Sequence, residues 1–147
     1  MIKIMTTRFN NLTWEENCRW RERNNFQGCI YNSPVYINNN IPLKISLFVI
    51  EMNNQTNKIE GIGKITNYVH TDKKYRIYSE LNYNRYTYLG KYRINREMIK
   101  NKEKLEKLEE RLFKGKGHLK RGQGILNVSN DIYRDYLCYI VSQLQNN

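Results

Sequence analysis

The stretch FKGKGHLKRGQGIL, Phe113 to Leu126, carries the densest basic chemistry in the chain. Lys114, Lys116, Lys120 and Arg121 supply charged donors and His118 an imidazole, while Gly115, Gly117, Gly122 and Gly124 let the backbone bend and approach a ligand closely. No carboxylate follows Glu110 to balance them until Asp131. A phosphate backbone fits such a loop. The spacing is not that of a Walker loop, because a helical pattern precedes it and no Ser or Thr follows the lysine, so nucleotide hydrolysis is not implied. The same residues also read as a basic helix C-cap, with Gly115 at C′ and Lys114, Lys116 and His118 favoured by the helix dipole. The two readings are compatible, since a capped helix end still presents its loop.

A second constellation is an aromatic and basic band: Tyr75, Arg76, Tyr78, Tyr83, Arg85, Tyr86, Tyr88, Tyr92 and Arg93. Bases stack on tyrosine rings and guanidinium planes, and arginines pair with phosphates. On strands every second residue points inward, so half of the band at most faces a ligand. Arg76, Arg85 and Arg93, with Tyr86, are its strongest candidates. In CRWRERNN, Arg19 and Arg21 could line a binding face beside Trp20. Catalytic signals are thin. His70 and His118 are the only histidines and show no metal-ligand spacing, Cys18 and Cys29 read as inert thiols, and Glu51 reads as a strand-end carboxylate reaching solvent. The expectation is a non-enzymatic protein with no cofactor and no metal.

The elements that must position these residues follow from periodicity. Met1 to Phe9 reads as a first strand, and Thr13 with Glu16 as a capping box opening a short helix. FQGCIYNSPVYI reads as strand and turn, broken at Asn32, Ser33 and Pro34. Leu43 to Met52 has a nearly continuous apolar centre, which predicts a strand buried on both faces, forming a hairpin with Lys58 to Val69. KYRIYSEL and RYTYLGKYRI are predicted as further strands. From Asn95 the period changes: Met98, Leu105, Leu108 and Leu112 predict a long helix near 95–113 with Asn95 as its cap. A second amphipathic helix near 130–145 is predicted from Ile132, Tyr136, Tyr139, Ile140 and Leu144, capped by Ser129 or Asn130. The predicted class is α+β in one domain over 1–147, with a β-rich part at 26–94 and a helical part at 95–147.

Composition narrows the partner. With 25 Lys and Arg against 14 Asp and Glu, the net charge is +11, which favours polyanions. Twelve Tyr and two Trp argue for a folded domain in spite of the polar average. The chain has 21 Asn, 16 Ile, 14 Lys and no Ala. That bias toward A/T-rich codons points to an AT-rich microbe, a protist or a large DNA virus, and it accounts for part of the Lys and Tyr excess. The most apolar run, Ile41 to Ile50, holds Pro42 and Lys44 and is far shorter than a membrane span. No signal-like segment opens the chain, and three cysteines without C-x-x-C spacing fit a reducing intracellular setting, in cytoplasm or virion.

Phe48 to Glu51 followed by Gly61-Ile62-Gly63-Lys64-Ile65, within NFQGCIYNSPVYI…IPLKISLFVIEMNNQTNKIEGIGKITNYV, resembles the PUA-like superfamily, especially its EVE and ASCH branches. The resemblance covers roughly 26–94. It implies a small curved sheet or pseudo-barrel whose cleft binds RNA or a modified base, with aromatic residues around the pocket. The expected function is nucleic-acid binding, RNA or DNA, through the basic loop and the Tyr/Arg band. The alternative is a structural or assembly protein, such as a virion component, that meets acidic partners.

Overall fold

Alternation along the strand Ser46–Asn53 decides the architecture. Leu47, Val49 and Glu51 point to one side and Phe48, Ile50 and Met52 to the other, and all six are buried. Both faces must therefore be covered. The protein, a computed structural model describing residues 2–145, achieves this with the chain order β1 (Lys3–Phe9), α1 (Asn11–Arg23), β2 (Cys29–Ser33), β3 (Ser46–Asn53), β4 (Lys58–Thr66), β5 (Tyr86–Gly90), β6 (Tyr92–Asn95), α2 (Lys102–Phe113), β7 (Leu126–Asn127) and α3 (Asn130–Gln143). Five strands form a mixed sheet in the order β6-β4-β3-β1-β7, in which β1 and β3 are parallel and the other neighbours antiparallel.

On one face, Leu105, Leu108 and Leu112 of α2 and Ile132 and Ile140 of α3 pack on Ile4, Ile50 and Ile62 of the sheet. On the other, α1 and a separate two-stranded sheet, β2 with β5, enclose Met5, Val49, Ile65, Tyr31 and Tyr88. The class is thus α+β, but the five-stranded sheet stays open and does not close into a barrel. The cause is visible in β5, which leaves the main sheet to pair with β2 through the register Cys29 to Gly90. Gly90 makes the crossing possible: a Cβ there would lie 1.7 Å from the Lys64 carbonyl oxygen, so β5 passes directly over β4.

Several expectations are corrected at the element ends. The first helix is capped one turn earlier than the Thr13/Glu16 box: Asn10 Oδ1 accepts from the Thr13 amide and Thr13 Oγ1 accepts from the Asn10 amide, while Glu16 accepts from the Ser79 amide. KYRIYSEL is not a strand. Asn84 Oδ1 accepts from the amides of Ile77 and Tyr78, and Asn32 Nδ2 donates to the Tyr75 carbonyl, so side chains satisfy the backbone that a neighbouring strand would. The long helix begins at Lys102, not Asn95. Residues 96–98 make one 3₁₀ turn, Ile99 drops extended into the core, Met98 is exposed, and Asn101 in the left-handed region at φ 60° caps α2 by accepting from the Lys104 amide. Strand structure also reaches beyond 26–94, through β1 and β7. The second predicted helix ends at Gln143, carries the expected buried face and is capped by Ser129, one of its two candidates.

Candidate nucleic-acid interface

At the end of the sheet where β3 begins and β4 stops, the segment 34–45 folds across the strand ends. Tyr88, buried on β5, fixes it by accepting a hydrogen bond from the Ile37 amide at 3.0 Å; burial raises the pKa of this phenol, so it stays neutral. Asn67, at the end of β4, donates to the carbonyls of Ile41 and Pro42. The floor is therefore rigid and the rim is left open.

Two adjoining depressions of about 690 and 830 Å³ result, sharing Lys44 and Tyr68. Tyr36, Leu43 and Tyr68 stand around the first, with relative exposures of 63%, 77% and 45%. Lys64, Lys91 and the exposed Tyr92 line the second. Among the described residues, Asp72 is the only carboxylate lining either. A third hollow of about 440 Å³ shares His70 and Thr71 with the second and is lined by Lys73, Lys74, Arg76 and Arg85. Arg85 and Tyr86 connect the two ends of this surface. The Arg85 guanidinium lies over the Tyr86 ring at 5.6 Å, and Tyr86 stacks on Tyr36 with centroids 3.7 Å apart and planes 31° from parallel.

The basic loop lies at the opposite end of β1 and β3. Gly115, with φ 77°, ends α2 as the C′ residue, and Lys114, Lys116 and Arg121 are exposed while His118 and Lys120 are half-buried. His118 Nδ1 accepts from the Lys120 amide within the loop's own turn. The loop is held by Arg8. Its guanidinium donates to the carbonyls of Leu119 at 2.8 Å and Gly124 at 3.0 Å, and to Thr6 Oγ1 and the Thr6 carbonyl. Burial lowers the Arg8 pKa to about 10, which leaves it charged at neutral pH. Asn54 Nδ2 adds a bond to the Lys120 carbonyl.

Arg93 departs from its expected role. It lies on the inner face of β6, its side chain 5% exposed, with Nε 2.8 Å from Glu51 Oε2 and Nη2 2.6 Å from Glu51 Oε1. Burial opposes its charge, yet the Glu51 carboxylate outweighs that and holds the guanidinium above its ordinary pKa. Glu51 does not reach solvent, as its position near a strand end had implied. It is 1% exposed and also accepts from the Tyr31 hydroxyl at 2.6 Å. Gly61 and Gly63 leave the room: a Cβ on either would collide with Arg93 and Glu51 or with Tyr31 and Cys29. Burial, with help from Glu51, pushes the Cys29 thiol up to about 12, so it is inert at neutral pH. This cluster is internal bracing.

Arg19 pairs with Glu15 on the outside of α1, and Arg21 bonds Asn17 and covers the Trp14 ring, so neither lines the groove. Tyr75, Tyr78 and Tyr88 are buried in the core. Among the described residues, no three His, Cys, Asp or Glu side chains come together as metal ligands. The groove residues that the sequence left unmarked as a site are Tyr36, Lys44, Lys64, Tyr68 and Lys91, while Tyr92 belongs to the expected aromatic and basic band. A faint signal was present in two isolated tyrosines within polar turns, in SPVYINNN and TNYVH. Compared with known proteins, the chain matches no family model, no curated protein and no solved structure.

Proposed function

We propose that this protein is a nucleic-acid-binding domain whose principal contact is the groove of Tyr36, Tyr68 and Tyr92 with Lys44, Lys64 and Lys91. The observation that carries the reading is the grouping of exposed tyrosine rings and ammonium groups around two adjoining depressions that, among the described residues, hold a single carboxylate, Asp72. Rings give bases a stacking surface worth about 1–3 kcal/mol each, and the lysines meet phosphates. The PUA-like resemblance of 26–94 points the same way, because it implies a cleft for RNA or a modified base. Neither contribution needs a catalytic group.

The test is fluorescence anisotropy with labelled RNA and DNA oligonucleotides across a salt series, using the wild type and a Tyr36→Ala/Tyr68→Ala variant. Both side chains are exposed, so the variant keeps its core. Sub-micromolar binding with a log–log salt slope near about −4, for about five phosphates neutralised, and a loss of tenfold or more in the variant are expected. Absence of binding at low salt refutes the proposal and directs attention to acidic protein partners, for which the apolar rim at Leu43 and Tyr36 would then be the contact.

A further inference from the structure

Two basic surfaces lie at opposite ends of β1 and β3, the groove at the start of β3 and the Arg8-held loop at its end. Gly124, at the end of the loop, has φ 79°, and a Cβ there would meet Ser33 Oγ at 2.6 Å and Val35 Cγ2 at 2.9 Å, so the loop abuts the chain leaving β2. The next residue, Tyr36, lines the groove and stacks on Tyr86, beneath Arg85. Arg121, Gln123, Val35, Tyr36 and Tyr68 are all exposed, so the path runs from a cation over neutral surface to open rings.

Resting on the nucleic-acid reading, we infer that these parts form one track for a single strand: bases stack in the groove, and the backbone is clamped at Lys120 and Arg121. The strand must be single because the open faces of Tyr36 and Tyr68 meet bases only when those bases are unpaired. The loop suits a clamp because it is pre-formed. Arg8 bonds the carbonyls of Leu119 and Gly124, which bracket Lys120 to Gln123, so little chain entropy is lost when a phosphate docks. Arg8 is a positioning residue: its two Nη groups bond the Leu119, Gly124 and Thr6 carbonyls and the Thr6 hydroxyl while its Nε is buried, and it acts by holding the loop. A two-part contact also sets a length requirement, since a short oligonucleotide fills the groove without reaching the clamp.

The experiment compares single strands of about 4 and about 16 nucleotides, spanning the usual site sizes of such grooves, with a 16-base-pair duplex of the same sequence. Proteins are the wild type, Lys120→Ala/Arg121→Ala, Tyr36→Ala and Arg8→Met. Tyr36→Ala should weaken both single strands tenfold or more. Lys120→Ala/Arg121→Ala and Arg8→Met should weaken the long strand about tenfold and the short one less than twofold. Retained short-strand binding also reports that Arg8→Met is folded. The duplex should bind at least tenfold more weakly than the long strand. If both lengths are equally indifferent to the loop substitutions, the loop is off the track and the inference fails while groove binding stands. Equal affinity for duplex and single strand overturns the ligand class. Failure of every oligonucleotide to bind wild-type protein overturns the nucleic-acid reading itself, a distinct result.

Discussion

Replacing Arg93 by Met should cost the fold about 3–5 kcal/mol, the usual penalty for leaving one member of a buried ion pair without its partner. Met fills the space of the aliphatic stem, so most packing survives and the loss is electrostatic. What remains is the Glu51 carboxylate, 1% exposed, with the Tyr31 hydroxyl as its sole side-chain donor in place of three. A domain of this size has about 5–15 kcal/mol in total, so the variant stays folded in buffer but unfolds early. With a urea m-value of about 2 kcal/mol/M, its midpoint should fall by about 1.5–2.5 M. Adding Glu51→Gln removes the orphaned charge and should return at least about 1 kcal/mol, which a double-mutant cycle reads as coupling. The folded fraction should bind oligonucleotides with unchanged affinity. A stability loss below about 1 kcal/mol, absent coupling, or a selective loss of binding would refute the internal role assigned to Arg93 and restore it to the binding surface.

Further substitutions probe other parts of the fold. Gly90→Ala sets a Cβ against the Lys64 carbonyl, which cannot move without displacing β4, and should cost more than about 3 kcal/mol or abolish folding, as judged by circular dichroism. Gly115→Ala meets no atom but must hold φ 77°, and should lose about 1–2 kcal/mol, whereas Gly117→Ala, with open space and no positive φ, should be neutral or slightly stabilising in urea titrations. Native protein treated with iodoacetamide at neutral pH should be labelled at exposed Cys138 and spared at Cys29, as peptide mass spectrometry would read; early labelling of Cys29 would show that the β2–β5 layer opens. The raised Cys29 pKa also fixes a direction. Its contribution is intact below the unfolded value of 9.0 and is lost as pH rises from there toward about 12. Tyr31 and Tyr78, raised by burial, act in the same sense, so urea midpoints should fall between pH 8 and 10.

Local order was legible in the chain itself. The nearly continuous apolar run Leu47 to Met52, broken by Glu51, required a strand covered on both faces, the 3.6 period placed α3 with its cap at Ser129 or Asn130, and Gly115 marked where α2 must end. Each of these depends on neighbours within a few residues. The Lys74–Leu81 stretch misled for the same reason: its composition suits a strand, but whether a partner strand arrives is a tertiary fact, and Asn84 and Asn32 arrive instead.

The division among the arginines was likewise out of reach of spacing alone. Arg8, Arg85 and Arg93 look alike as residues, yet one holds a loop, one lies over a tyrosine at the surface and one is sealed against Glu51. Residue types and their order carry the net charge of +11, the apolar periods that set strands and helices, and the glycines that permit close crossing. Which cations and rings reach solvent together depends instead on how distant segments pair. The parallel pairing of β1 with β3 and the departure of β5 to join β2 bring residues 36, 44, 68 and 91 around one groove, and long-range pairings of that kind leave no local period in the chain.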